Sequence, residues 1–432
     1  MELSDQIETA GGMQFIFKRD RYDKVFLDIL IIAHSRVDTG GYSKILEMSA
    51  ALAKAGHRVT YACTSRRGKF FIKESNSSCV RIIEFPDLLY GRLRQGIDLW
   101  NTLQRILFLT KENFDVIHAI DCRPAVIFPS LWMQKFKNVP LVISWWDWFG
   151  RGGTAMARSG KLFDETFGHI ETFFEEYFRK YADRATVVSS LLKARLEALG
   201  YPQEKIEIHR VGCNISKGSN VDKAVMRKQL NLPEAETILC YAGVLFKSDM
   251  DLLIDSLRIL KKEYSLPTTI LVGKHYLEEK ISNELSIQIT GWLPDFQDVC
   301  KYLHASDYAI VPMITSIANK ARWPSKVSDY WAAGLPVIAT PISDYPSLFP
   351  EYNLGYLSLS DRPRDFADAI HKALVEDASK YRTNSLAALA FARNELDWDR
   401  LAEKLVNLYR LAIASARDGQ SKLRKRDIMP FS

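Results

Sequence analysis

Residues 324–340 read PSKVSDYWAAGLPVIAT and predict a short helix followed by a buried strand. Pro324 suits the first helical position, where a missing N–H is tolerated, and Ser325 can cap the helix. The free N–H groups of the first turn, with Lys326 beside them, form a predicted cradle for a diphosphate. Asp329 follows on the same helix, where it can accept hydrogen bonds from ribose hydroxyls. An ordinary helix–strand unit of an α/β sheet is the alternative, and the Pro-Ser-Lys start favours a nucleotide site.

Strand-like and helix-like runs alternate along most of the chain, which is typical of α/β domains with parallel sheets. Ligands of such sheets bind beyond the carboxyl ends of the strands. A polar stretch at residues 213–221 is the best linker candidate, so we expect two domains with a cleft between them. The strand-like runs are residues 25–33, 58–63, 80–85, 116–119, 141–144, 184–188, 206–212, 238–242, 268–272, 287–290, 308–311 and 336–340.

The composition predicts a soluble globular protein. The chain has 432 residues, too many for one ordinary core, of which 47% are hydrophobic and 25% charged. Its first residues lack the basic and apolar regions of a signal peptide, and no apolar run approaches the roughly 18 residues that span a bilayer. Six scattered cysteines show neither a C-x-x-C pair nor Cys/His metal spacing. We therefore expect a cytoplasmic protein without a metal ion or cofactor.

The net charge of +6 is concentrated in one basic window. Residues 51–110 hold ten lysines and arginines against four acids, so this window alone carries +6. Within it, RRGKFFI at residues 66–72 mixes cations with aromatic residues, and Arg92 and Arg94 follow. Such surfaces suit an anionic membrane, here the inner face, or a lipid-diphosphate acceptor, and a solvated face is the alternative. Nucleic acid is disfavoured because no nucleic-acid-binding motif accompanies the charge.

The 324–340 segment closely resembles the donor-binding motif of GT-B glycosyltransferases, specifically the large retaining family 4 of the group 1 glycosyltransferases. Relatives commonly carry P-x-K-x-x-E-Y-x-A-x-G-x-P-V-V, with the acidic residue on the donor ribose, and here that residue is Asp329. The resemblance implies that Ser325, Lys326 and Asp329 bind the donor. Many relatives also have a glutamate eight residues upstream of this acid that supports the sugar, and Ala321 stands there in this chain.

The resemblance also implies the architecture: a GT-B α/β fold, in which two Rossmann-like domains with parallel sheets face an interdomain cleft. We assign residues 1–214 to an N-terminal acceptor-binding domain and residues 215–384 to a C-terminal nucleotide-sugar-binding domain. Residues 385–432 would hold two helices, at 385–394 and 400–414, that return to the N-terminal domain, and then a basic tail.

Glycines and a lysine correspond to further donor-site positions of the family. Gly40 and Gly41 follow the first strand, where glycine lets the backbone approach a phosphate or sugar. Gly243 and Lys247 follow the first strand of the second domain, where relatives place cations on the diphosphate. Fixed positive charge stabilises the departing diphosphate, so we predict Lys247 and Lys326 as the catalytic pair. A surface position is the alternative for either lysine.

Residues 144–153, SWWDWFGRGG, end a predicted strand and should face the cleft. Indole rings offer flat apolar faces to sugar C–H groups, so Trp146 and Trp148 are predicted acceptor contacts, and a core aromatic cluster is the alternative. Asp147 is predicted to accept a hydrogen bond from a sugar hydroxyl or to act as the base that deprotonates the acceptor. Arg151 is predicted to bind a phosphate of the acceptor.

Two aromatic side chains match family positions with open alternatives. Trp292 lies in a Thr-Gly turn whose counterpart in relatives holds the donor base, and a core or domain-edge position is the alternative. His118, near a strand end, matches a common family position, and a structural use is the alternative.

These features predict a metal-independent hexosyltransferase that moves a sugar from a nucleotide-diphosphate sugar to a glycan or lipid-linked acceptor with retention of configuration. A non-catalytic nucleotide-sugar-binding protein on the same scaffold is the alternative, because the family's upstream glutamate, its histidine and its arginine are missing. An epimerase would need an acidic and basic set in the cleft that the sequence does not identify.

Overall fold

The computed structural model describes residues 26–37, 39–66, 68, 70–88, 96–154, 161–215 and 222–427, without the side chains of residues 163 and 417–427. Arg67, Lys69, Arg92 and Arg94 of the basic window lie outside the described residues. None of the described helices combines the length and the apolar character needed to cross a membrane.

The first sheet has eight strands in the order β3-β4-β2-β1-β5-β6-β7-β8. All neighbouring strands are parallel except β3, an exposed edge strand that pairs antiparallel with β4. The strands are β1 (Asp28–Arg36), β2 (Arg58–Thr64), β3 (Lys73–Ser77), β4 (Val80–Phe85), β5 (Val116–Ile120), β6 (Leu141–Trp145), β7 (Arg184–Val187) and β8 (Ile206–Ile208). The accompanying helices are α1 (Gly40–Lys54), α2 (Leu99–Leu109), α3 (Pro124–Lys137), α4 (Lys161–Thr166), α5 (Gly168–Tyr177) and α6 (Ser190–Ala198), with 3-10 turns at Phe178–Tyr181 and Gln203–Lys205.

The second sheet has six parallel strands in the order β11-β10-β9-β12-β13-β14. The strands are β9 (Ile238–Ala242), β10 (Thr268–Val272), β11 (Ile287–Ile289), β12 (Tyr308–Val311), β13 (Val337–Ala339) and β14 (Gly355–Leu357). The helices are α7 (Lys223–Gln229), α8 (Lys247–Glu263), α9 (Glu279–Glu284), α10 (Phe296–Ala305), α11 (Ile317–Ala321), α12 (Ser325–Ala332), α13 (Tyr345–Tyr352), α14 (Pro363–Val375), α15 (Ala378–Phe391) and α16 (Trp398–Asp427), with a π-helical turn at Ala392–Leu396 between the last two.

Central strands of both sheets are continuous apolar runs, as parallel sheets with helices on both faces require. Ile29, Leu30, Ile31 and Ile32 of β1 are fully buried, and the same holds for most of β9, β10 and β12. The two-domain α/β fold predicted from the sequence is therefore confirmed. The exposed antiparallel β3 is the departure from purely parallel sheets.

Predicted boundaries hold at four buried strands, shift by a residue or more at others, and one predicted helix is divided. The strands at 80–85, 238–242, 268–272 and 308–311 have the predicted bounds. The amphipathic stretch from Asp164 to Tyr181, whose pattern predicts one long helix, is divided near Gly168 into α4, α5 and a 3-10 turn.

The two C-terminal helices pack against different domains. Helix α15 contacts α12, α13 and β14 of the second domain, whereas α16 contacts α1, β5, β6 and β7 of the first. The chain therefore crosses to the first domain at the π-helical turn, and the helix predicted at 385–394 does not return as expected. Helix α16 also continues to Asp427, through part of the segment predicted as a basic tail.

Candidate active site

A cavity of about 440 Å³ lies between the domains, beyond the carboxyl ends of β1, β6, β9 and β12. Both domains line it, and the predicted site residues among its walls are Gly40, Gly41, Trp146, Asp147, Ser325 and Lys326. The other lining residues are Lys44, Val211, Tyr241, Val244, Phe246, Asp249, Met313, Arg322, Trp323 and Pro324.

Helix α12 begins at this cavity without a side-chain cap. Pro324 is the N-cap residue rather than the first helical residue, and Ser325 is the first helical residue rather than the cap. The partial positive charge of this helix end favours an anion in the cavity. The Ser328 hydroxyl donates to the Val211 carbonyl at 2.6 Å, which ties α12 to the end of the first domain.

Lys326 is the central cation of the cavity. Its ammonium hydrogen-bonds with the Tyr241 hydroxyl and lies 4.0 Å from the centre of that ring. Burial and the charge of Arg322 lower the pKa of Lys326 to about 7, although Asp249 acts in the opposite direction. A bound anion would favour the charged lysine and reverse this shift.

Arg322 supplies a second cation at the same wall. One of its terminal nitrogens donates to Asn319 Oδ1 at 2.5 Å, and its guanidinium lies 5.8 Å from the Phe246 ring centre. Within the described part of the chain, the Arg322 Nε is buried without a hydrogen-bond partner. A buried, unsatisfied N–H beside Lys326 is suited to an anionic oxygen.

Lys247 lies outside the cavity, contrary to its predicted pairing with Lys326. Its side chain is 88% exposed, at the first residue of α8, and forms an ion pair with Asp251 at 2.6 Å. The surface alternative therefore describes Lys247. Gly243 is close to the central cation, because a Cβ there would lie 3.2 Å from Lys326 Nζ, and its φ of 123° favours glycine.

Asp329, the predicted ribose ligand, contacts the opposite domain. Its Oδ1 accepts from Lys44 Nζ of α1 at 2.9 Å, and Glu47 accepts from the same ammonium at 3.2 Å. Both side chains of the Lys44–Asp329 pair are 12% exposed. The sequence therefore placed the carboxylate on the correct helix but did not anticipate its cationic partner.

Gly40 and Gly41 are the first two residues of α1 rather than a separate loop. Thr39 caps this helix through its side-chain oxygen, which accepts from the Tyr42 N–H. A methyl group at Gly40 would meet no atom within 4 Å, whereas one at Gly41 would lie 3.2 Å from Ser35 Oγ. Glycine at position 40 therefore leaves open space at the cavity wall.

Trp146 and Asp147 follow β6 and are half-buried at the cavity wall. The Trp146 N–H donates to Asp121 Oδ1 at 3.0 Å, which fixes the backbone where the strand ends. Burial raises the pKa of the Asp121 carboxyl to about 7, against the opposing charge of Arg179.

Glu175 of α5 anchors the rest of this loop from beneath. Its carboxylate accepts from Trp145 Nε1 at 2.8 Å and from the backbone N–H groups of Phe149 and Gly150 at 2.8 and 2.6 Å. Burial raises the pKa of Glu175 to about 7 despite the nearby Arg179. Trp145 is fully buried, so the core alternative holds for this tryptophan.

The remaining predicted residues do not line the cavity. Trp148 donates to the Arg151 carbonyl at 3.2 Å, and the Arg151 side chain is exposed. Trp292 is 73% exposed, so its core alternative is wrong. His118 is buried between the Tyr409 hydroxyl and Ser144 Oγ, and burial lowers its pKa to about 3, which identifies a structural role.

Sequence reasoning missed Lys44, Tyr241, Asp249 and Arg322. Arg322 precedes the donor motif by two residues, and Lys44 follows Gly41 by three, so both were visible as cations beside predicted site segments. Tyr241 and Asp249 gave no signal beyond their place near a strand end. Within the described ranges, no group of three His, Cys, Asp or Glu side chains could hold a metal ion.

Comparison with known proteins identifies the family. Residues 43–217 match Glycosyltransferase Family 4, and residues 236–376 match Glycosyl transferases group 1. The amylovoran biosynthesis glycosyltransferase AmsK of Erwinia amylovora is 25% identical over 199 residues, which cover 44% of this chain and 47% of AmsK. The chain thus spans about half the length of the curated relatives it matches.

Solved structures share the fold over nearly the whole chain. Sucrose-phosphate synthase from Thermosynechococcus elongatus has a TM-score of 0.70 and 18% identity, over 90% of this chain and 100% of that one. Anabaena HepE, in complex with UDP and glucose, has a TM-score of 0.64 and 15% identity, over 88% and 98%. These structures show the GT-B fold, and the two family models, which together match residues 43–217 and 236–376, show that the chain belongs to the group 1 glycosyltransferases.

Proposed function

We propose that the chain transfers a sugar from a nucleoside-diphosphate sugar, with UDP-sugars as the first donors to test. The observation that carries the proposal is the meeting of Lys326, Arg322 and the uncapped end of α12 in an interdomain cavity. Three positively polarised groups at one wall suit a diphosphate. The complex of HepE with UDP and glucose supports the choice of donor base.

The donor would lie across the cavity wall formed by the second domain. Its diphosphate contacts Lys326, Arg322 and the first turn of α12, and its ribose hydroxyls reach Asp329. The sugar then points toward Gly40 and Asp147 on the opposite wall. This arrangement uses the open space at Gly40 and the close approach of Gly243 to Lys326.

The transfer would proceed with retention of configuration and without a metal ion. The bond between the anomeric carbon and the phosphate oxygen breaks, and a new bond forms from that carbon to the acceptor oxygen on the same face of the sugar. The acceptor hydroxyl gives its proton to the departing phosphate oxygen, or to Asp147 if that carboxylate acts as the base. Lys326 and Arg322 stabilise the negative charge that develops on the diphosphate. A hexose is the expected sugar.

The acceptor would enter from the first domain, past Trp146 and Asp147. We propose a glycan or lipid-linked acceptor and a cytoplasmic enzyme, in keeping with six cysteines that form no disulfide bond with one another. The basic window gives weaker support for a membrane partner than its charge suggested. Arg105 is fully buried, and Lys54, Arg58 and Arg81 each form an ion pair with an acid.

The test measures donor binding and sugar release together. UDP-, GDP- and ADP-sugars are screened by thermal shift, and the stabilising donor is then assayed for release of its nucleotide in the presence of candidate glycan and lipid-linked acceptors. Lys326→Met should lower the donor-dependent rate by about 10²–10³-fold, because one charge-stabilising contact is lost. Lys320→Met, at an exposed position on α11, is the matched control and should keep the wild-type rate.

Each outcome has a separate meaning. Stabilisation by a sugar nucleotide without turnover for any donor and acceptor would favour the non-catalytic binding protein. If no sugar nucleotide stabilises the protein, the proposed donor site is wrong. A wild-type rate in Lys326→Met would exclude this lysine from the mechanism.

A further inference from the structure

Three helices of the first domain lie side by side and expose large apolar side chains. Helix α2 packs against α3, and α3 packs against α5 through Phe128, whose ring centre lies 5.8 Å from that of Phe174 and 5.6 Å from that of Phe178. The three helices connect β4 to β5, β5 to β6 and β6 to β7 in turn, so successive right-handed crossovers place them on one face of the sheet.

The exposed positions of this face are apolar or basic. Helix α2 exposes only leucines, at 72%, 46% and 54% for Leu99, Leu103 and Leu107. Helix α3 adds Trp132 and Phe136, whose ring centres are 4.3 Å apart, and Lys135 lies between them in sequence. We define the docking face as the exposed residues of α2, α3, α5 and the following 3-10 turn: Leu99, Leu103, Leu107, Trp132, Lys135, Phe136, His169, Ile170, Phe173, Tyr177, Lys180 and Tyr181.

Acidic side chains of the same helices are turned away from the docking face. Glu171 is buried against Arg123, with 3.1 Å between carboxylate and guanidinium. Glu175 is buried under the loop that follows β6, and Glu176 is held by Arg195 at 2.6 Å. None of the exposed residues described on α2, α3 and α5 is acidic.

We propose that the docking face binds the surface of an anionic lipid bilayer. Leucine, isoleucine and phenylalanine side chains would enter the boundary between headgroups and acyl chains, while tryptophan and tyrosine rings suit the headgroup level. Lys135 and Lys180 would attract anionic headgroups. Lys180 already lies 3.7 Å from the Tyr177 ring centre, so its ammonium stays at the level of the aromatic ring.

A bilayer explains this face better than a second copy of the chain. A two-fold dimer would place the same face on both sides of the interface, and its lysines would meet no acid. Exposed apolar side chains grouped on one face mark an interaction site, and an anionic bilayer supplies both an apolar interior and headgroups of the opposite charge.

Membrane contact here would serve the acceptor side of the cavity. Helix α5 carries Phe173 and Tyr177 on the docking face and Glu175 beneath the loop that reaches the cavity at Trp146. Only this use of the face, the delivery of a lipid-linked acceptor, rests on the proposed function. Lipid binding itself requires neither donor nor acceptor.

The full chain is sedimented with vesicles of phosphatidylcholine alone and with vesicles that contain phosphatidylglycerol in equal amount. We expect binding to the anionic vesicles and little to the neutral ones. The double variant Leu103→Gln, Phe173→Gln should bind the anionic vesicles at least about tenfold more weakly, because two apolar contacts are lost. Lys135→Gln and Lys180→Gln should each weaken binding by about fivefold.

Leu386→Gln is the matched control, since Leu386 is 60% exposed on α15 of the second domain and should not affect binding. Equal binding to neutral and anionic vesicles, or wild-type binding of the double variant, would overturn the proposal. A wild-type dimer in sedimentation velocity that the double variant converts to a monomer, without vesicle binding, would assign the face to a second copy instead. Thermal stabilisation by UDP-glucose, measured in parallel, reports on the donor site independently of the vesicles.

Discussion

Lys44 of the first domain and Asp329 of the second are joined across the cleft, with 2.9 Å between Nζ and Oδ1. Burial alone would lower the pKa of Lys44, but the Asp329 and Glu47 carboxylates outweigh it and raise the pKa, so the lysine stays charged. Lys44 thus occupies the Asp329 carboxylate, which the sequence predicted to bind the donor ribose. A ribose that uses Asp329 must therefore compete with Lys44.

Lys44→Met should strengthen UDP binding. If the nucleotide has to displace Lys44, then removing the lysine removes an opposing interaction of about 1 kcal/mol, which corresponds to roughly fivefold in Kd. Asp329→Asn should weaken UDP binding by about tenfold, because hydrogen bonds to a charged acceptor are lost. Isothermal titration calorimetry measures both, and Glu47→Gln controls for the loss of charge near the pair. Weaker binding in both variants would mean that the pair only holds the domains together.

Arg322→Met should lower the transfer rate, and Lys247→Met should not. The Arg322 side chain lines the cavity beside Lys326, so its loss removes a charge that stabilises the diphosphate and should reduce kcat by about 10²-fold. The Lys247 ammonium is solvated and already paired with Asp251. Steady-state kinetics on the two variants therefore decide which cation accompanies Lys326. A larger effect at Lys247 would require a different closed arrangement of the domains.

Donor binding should take up a proton through Lys326. Its pKa in the empty cavity is lowered to about 7, and a diphosphate placed beside it would raise that value. At pH values above 7 the empty site is then neutral and the occupied site charged, so affinity for UDP-glucose falls as the pH rises. Isothermal titration calorimetry in buffers of different ionisation enthalpy measures the number of protons taken up on binding. Lys326→Met should abolish the uptake, and an unchanged uptake in that variant would assign the proton to another group.

The lowered pKa of Lys326 should make folding stability rise with pH, whereas donor affinity falls. Between about pH 7 and the ordinary lysine value, the unfolded chain keeps the proton that folded Lys326 has lost, so the unfolded state binds more protons. The contribution of Lys326 to the free energy of unfolding therefore rises with pH across this window. Melting temperatures of the wild type and Lys326→Met, compared across it, should converge at the basic end.

The fold, and part of the wall of the candidate site, could be predicted from the sequence because both depend on local pattern. Buried strands such as Ile238–Ala242 are continuous apolar runs of the length typical of parallel strands, so their bounds were predictable. Lys326 and Ser325 were predictable because a helix N-terminus with an adjacent cation is a local feature. The edge strand Lys73–Ser77 was missed, because its fully polar and exposed residues carry no strand pattern.

Contacts between distant parts of the chain were not predictable. Lys44 and Asp329 are 285 residues apart and meet only because two domains close on each other. Lys247 was predicted because relatives place diphosphate-binding cations in this segment, but its side chain at the first turn of α8 is solvent-exposed. Whether a tryptophan in residues 145–148 enters the core or the cleft depends on the path of the backbone after β6, which periodicity does not encode.

Trp146→Ala should impair acceptor use more than Trp148→Ala. Trp146 lines the cavity, so its loss removes an apolar face for sugar C–H groups and should raise the acceptor KM by about tenfold. The Trp148 indole instead donates to the Arg151 carbonyl and stacks with Trp145 at 5.9 Å between ring centres. Initial rates against acceptor concentration at saturating donor measure the difference. Equal effects would mean that the whole loop, rather than one ring, shapes the acceptor site.

Glu175→Ala should destabilise the first domain strongly, and Glu176→Ala only weakly. The Glu175 carboxylate is buried and accepts three N–H groups, so its removal takes the acceptor from the Phe149 and Gly150 N–H groups and should lower the free energy of unfolding by about 2–4 kcal/mol. Glu176 is partly exposed and loses only its ion pair with Arg195, worth up to about 1 kcal/mol. Urea unfolding followed by tryptophan fluorescence compares these neighbours on one helix. Because the loop anchored by Glu175 carries Trp146, the first variant should also raise the acceptor KM while UDP binding is retained. Equal stability of the two variants would show that the buried carboxylate does not hold the loop.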